Sequence, residues 1–159
     1  MNKDEQIDLL TLLAMNETTV LKLYKSYAEK TLIHEDFWQK FSGEETTLAE
    51  WIMELAEKAK EVKATVSERL ISREDVQRSI FGIREEIDRV LNTGLSYLTH
   101  EEEFEIVFSK EDSLIEKKFF KVMKTDDKDL KKLLKNLKRE LQNRFNRIEV
   151  ELKAEKKRK

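Results

Sequence analysis

Two stretches, residues 12–28 (LLAMNETTVLKLYKSYA) and residues 34–52 (HEDFWQKFSGEETTLAEWI), carry apolar residues in alternating steps of three and four, and in each a glutamate interrupts the series. In the first, the seam runs Ile7, Leu10, Ala14, Leu21, Tyr24, Ala28 and Thr31, with Glu17 at the missing step. In the second it runs Trp38, Phe41, Leu48, Ile52, Leu55, Ala59 and Val62, with Glu45 at the missing step. That spacing puts one continuous face of each helix against a neighbour at a shallow angle, which predicts an all-α bundle.

The rest of the chain extends the pattern. Caps and breaks predict five helical segments: about Lys3 to Thr31, about Glu35 to Val66, a third opened by Ser72 and Asp75 and stopped near Asn92 and Gly94, a fourth from Thr99 through about Lys124, and a fifth from the Thr125, Asp126, Asp127 cluster to about Glu155. Residue pairs Ser72/Asp75 and Thr99/Glu102 have the spacing of capping boxes. The fourth segment carries Phe104, Phe108, Ile115 and Val122, with Glu111 and Lys118 on the same stripe. The fifth carries Leu130, Leu134, Leu137, Leu141, Phe145, Ile148 and Leu152, with Arg144 on that face.

With 159 residues the chain reads as one domain, 1–159. Its 40% charged residues, against about 25% in an average domain, point to long solvated helix faces. No proline and three glycines leave too little turn chemistry for a sheet fold or a phosphate-cradling loop. The absence of cysteine removes disulfides, thiolate-held metals and thiol nucleophiles, and a reducing cytoplasm fits best. Neither an export signal after MNKDEQID nor a membrane span is expected. His34 and His100 fall near helix starts and read as surface or capping residues.

Charge is uneven. From residue 117 to 159 there are 17 Lys and Arg against 7 Asp and Glu, a net of +10, although the whole chain has a net charge of −2. A basic helix packed beside acidic ones accounts for this pattern without a partner. A surface for nucleic acid or an acidic protein, using Lys131, Lys132, Lys135, Lys138 and Arg139, is the less favoured reading, because no stacking aromatics interleave with those charges.

A glutamate in an apolar interior is costly unless it is paired, hydrogen-bonded or bound to a metal. One such residue reads as an edge glutamate whose stem reaches water. Three, on three separate long helices, ask for a common reason. At these residues the chain resembles the ferritin-like superfamily, and within it the rubrerythrin-like proteins. Residues 12–28 and 34–52 are similar to the first two bundle helices, residues 104–120 (FEIVFSKEDSLIEKKFF) to the third and residues 130–148 (LKKLLKNLKRELQNRFNRI) to the fourth. The third predicted segment stands where that family has its long crossover. Spacing supports an internal duplication: Glu17 to Glu45 is 28 residues and Glu111 to Leu141 is 30.

The resemblance implies a ferritin-like four-helix bundle with an additional helix in the crossover, and a centre where Glu side chains and two Glu-x-x-His pairs hold two iron or manganese ions. Glu17, Glu45 and Glu111 match that metal-ligand pattern. The other positions carry Leu48, Leu141 and Arg144, and the alternative register of Glu140 and Asn143 turns Asn143 away from the apolar stripe. No cofactor is therefore expected and no catalysis. The expected role is binding or structural, the centre being degenerate and a guanidinium standing where metals would. The alternative is a carboxylate-bridged iron or manganese oxidoreductase of ferroxidase or peroxidase type, with Tyr24 as a nearby hydrogen-bond donor. A homodimer or another protein is the expected kind of partner, with no membrane and no nucleic acid. Trp38, Trp51 and Phe81 read as packing residues that could also serve an interface.

Overall fold

The structure, a computed structural model, describes residues 3–30, 34–59, 61–62, 64–66, 71–94, 99–111 and 123–157. Five helices account for most of it: α1 (Lys3–Lys30), α2 (Glu35–Ala59), α3 (Arg73–Thr93), α4 (His100–Glu111) and α5 (Lys128–Lys157). The expected all-α class is what forms, and no helix among the described residues is long and apolar enough to cross a membrane.

Helix ends follow local chemistry. The Ser72 hydroxyl accepts from the Asp75 N–H at 3.1 Å, and the Asp75 carboxylate accepts from the Ser72 N–H at 3.5 Å, closing the capping box that opens α3. Thr99 and Glu102 repeat this at the start of α4, both bonds 3.1 Å long. Gly94, at φ 70°, ends α3 by returning its N–H to the Val90 carbonyl, a backbone turn that a Cβ would oppose. At α5 the Asp127 carboxylate accepts from the Leu130 N–H at 3.0 Å, while Thr125 Oγ1 holds the Asp127 N–H.

The second and fourth segments do not reach their expected ends as helix. Residues Ala64–Val66 (β1) and Met123–Thr125 (β2) are strands, paired antiparallel with Ala64 opposite Thr125 and Val66 opposite Met123. This corrects the helices read through Val66 and Lys124. Short β-branched segments gain partners by pairing across the fold, and helical periodicity carries no sign of a partner so far along the chain. Ile115, Lys118 and Val122 lie outside the described residues.

Two apolar clusters give the helices their directions. The first gathers Leu9, Leu10 and Leu13 of α1, Leu55 and Ala59 of α2, Val76 and Ile80 of α3, Met123, and Leu130 and Leu137 of α5. The second gathers Leu23, Tyr24 and Tyr27 of α1, Trp38 and Phe41 of α2, Ile83 and Val90 of α3, Phe104 and Val107 of α4, and Ile148 and Leu152 of α5. Thus α1, α3 and α5 rise from the first cluster to the second and α2 descends. Phe104 sits beside His34 and Phe108 beside Phe145, so α4 also descends. Helix α1 packs on α2 and α3, and α5 packs on α2 and α4. Trp38 is fully buried in the second cluster, Trp51 lies against the first, and Phe81, read as packing, is instead 64% exposed.

Candidate functional site: a polar layer between two cores

Between the two clusters α1, α2 and α5 turn polar. On α1 the step between Ala14 and Val20 holds Asn16, Glu17 and Thr19, all buried. On α2 the step between Phe41 and Leu48 holds Ser42, Glu44 and Glu45, and on α5 the step between Leu137 and Ile148 holds Arg144 and Arg147. Ser79 of α3 donates to Asn16 Oδ1 at 2.7 Å, joining the layer from a fourth helix.

Hydroxyls enter this layer at little cost because they are satisfied within their own helix. Thr18, Thr19, Ser42 and Thr46 donate to carbonyls three or four residues back, over 2.7 to 3.3 Å. The triplet Glu-Thr-Thr occurs at 17–19 and again at 45–47, and Thr18 and Thr46 make the same bond to the residue four back.

Arg144 is the centre of the layer. Its side chain is 1% exposed. Nη1 donates to the Phe41 carbonyl at 3.2 Å and lies 3.8 Å from the Glu44 carboxylate. The guanidinium stacks over the Phe41 ring at 3.9 Å and faces the Tyr24 ring at 5.8 Å. A planar, weakly hydrated cation suits such a place: aromatic faces and a carbonyl's second lone pair replace part of its lost water. One turn on, Arg147 forks across both oxygens of Glu44, so one carboxylate serves two arginines. Outside this pair a groove of about 320 Å³ runs between α2 and α5, lined by Phe37, Lys40, Phe41, Asn146, Arg147 and Val150.

Of the residues singled out from the sequence, Glu17 and Arg144 lie buried in the layer and Leu48 and Leu141 pack in the first cluster. The register is that of Leu141 and Arg144, since Asn143 is exposed. Glu45 lies within α2 at the step between Phe41 and Leu48, and Glu111 is the last residue of α4; their side chains lie outside the description. Among the described side chains, no three His, Asp or Glu cluster to hold a metal. His34 is not a surface residue: its imidazole, 11% exposed, meets Glu155 at 2.9 Å and ties the start of α2 to the end of α5.

Sequence reasoning missed Glu44, Arg147, Asn16, Ser79 and the buried Glu103 of α4. The available signal was Arg144 and Arg147 at i, i+3, which places two guanidinia on one face opposite the Glu-Glu pair of α2. No family model matches the chain, and neither the curated proteins nor the solved structures contain a match to it.

Proposed function

We propose that this chain is a ferritin-like bundle of the rubrerythrin-like kind whose metal centre has given way to an arginine-closed polar layer, and that its role is structural or binding, without catalysis. In this reading α1, α2, α4 and α5 are the four bundle helices and α3 is the crossover. The helix directions favour it: α1 rises, α2 descends, α3 returns the chain to the far end, α4 descends and α5 rises.

The observation that carries the reading is Arg144, fully buried at the level where Glu17 interrupts the core of α1. The residues present do not suit a di-metal centre. A fixed cation stands in the layer, two of the family's ligand positions are Leu48 and Leu141, and His34 meets Glu155 at the end of α5 rather than the layer. An arginine satisfies carboxylates with up to five donors and repels a divalent ion from the same space. Once neutralised, such a layer fixes helix register, because a sliding helix would strand a charge in an apolar cluster.

The test is elemental analysis of chelator-free protein exposed anaerobically to Fe(II) or Mn(II) and then desalted. The reading predicts no retained metal and no absorbance change on admitting air. About two ions per chain, the family's stoichiometry, would instead establish the carboxylate-bridged oxidoreductase reading with Glu17, Glu45 and Glu111 as ligands.

A further inference from the structure

The account of the basic segment as a helix neutralised by acidic neighbours meets a difficulty in the structure. Lys128, Lys131, Lys132, Lys135, Lys138 and Arg139 are all exposed, on the face of α5 opposite Leu130, Leu137 and Arg144. At 3.6 residues per turn and 1.5 Å per residue, these six cations fall within about 120° of arc and about 16 Å of length. Among the described residues, Lys128, Lys131, Lys132 and Lys135 have no ion pair, and Arg139 bonds only Asn136 of its own helix. Asp129 and Glu140 fall outside the arc. The same ridge continues into the exposed amides of Gln142 and Asn146, which bond each other at 3.0 Å.

We propose that this ridge of α5 binds the phosphate backbone of double-stranded nucleic acid, a property independent of the polar layer. A band of cations held on one face of a rigid helix complements a row of phosphates, and each neutralised phosphate releases counterions. The exposed amides add hydrogen-bond donors for phosphate or groove edges. The arc from Lys128 to Asn146 carries no aromatic residue, so the bases of a single strand would find nothing to stack on, which selects the duplex. An acidic protein is less well matched, because the ridge has no apolar anchor of the kind that gives protein interfaces their energy.

Fluorescence anisotropy of a labelled duplex of about 20 base pairs, titrated with the full chain at about 50 mM salt, tests the proposal. Binding in the micromolar range is expected, falling about 100-fold by about 200 mM salt if four of the six cations meet phosphates. The triple variant Lys131→Glu, Lys132→Glu, Lys135→Glu should weaken binding by at least about 30-fold with its helical circular dichroism intact. A control carrying the same charge change on α1, at the exposed Lys22, Lys25 and Lys30, should lose less than about 3-fold. Absence of binding at about 100 µM protein, equal loss in the α1 control, or tighter binding of the single strand would each overturn the proposal. Competition by polyglutamate as effective, charge for charge, as by duplex would overturn it in favour of an acidic protein partner.

Discussion

Arg144 and Arg147 lie one turn apart and share Glu44, yet their surroundings differ: the Arg144 side chain is 1% exposed and that of Arg147 is 37% exposed. Water screens the outer pair, and rim pairs of this kind contribute about 0 to 1 kcal/mol. Arg147→Ala is therefore expected to lower stability by about 1 kcal/mol or less in urea unfolding, far less than any loss at Arg144. Arg144 itself was legible from its angle on the α5 stripe, because burial and helical period are both properties of the sequence. Glu44 and Arg147 were not, since half-exposed positions flanking a stripe look alike whether or not they find a partner on another helix.

Among the elements, local chemistry was read well and long-range chemistry poorly. Both capping boxes form because every partner lies within three residues. The hydroxyl–amide bond of Ser72 holds the start of α3, which delivers Val76 and Ile80 to the first cluster and Ser79 to Asn16. Ser72→Ala should cost about 1 kcal/mol, measured by thermal unfolding. The pairing of β1 with β2 was missed because its partners are some sixty residues apart in sequence. That ladder joins the chain beyond α2 to the chain before α5 at the level of Met123, and so closes the first cluster from outside.

For the whole molecule, two apolar clusters separated by a polar layer raise the question of whether they melt as one. All the long helices pass through both clusters, so neither can lose its packing while the other keeps it, and a single transition is expected. Trp38 reports the second cluster and Trp51 the first; unfolding curves of the Trp38→Phe and Trp51→Phe variants, each leaving one tryptophan, should have the same shape relative to their own helical circular dichroism, with coincident midpoints by both probes. Midpoints that separate in either variant would mean that the layer divides the molecule into independent halves.

The central claim is that the Arg144 guanidinium, buried in the layer that also holds Glu17, takes the place a metal would otherwise have there. Equilibrium urea unfolding of Arg144→Leu beside Arg144→Leu, Glu17→Leu measures it most directly. Removing the guanidinium alone should cost about 3 to 5 kcal/mol by stranding charge in the interior, and removing Glu17 as well should restore at least about half of that loss. A loss below about 1 kcal/mol for the single variant, ordinary for any substitution, or a double variant no more stable than the single, would contradict the account.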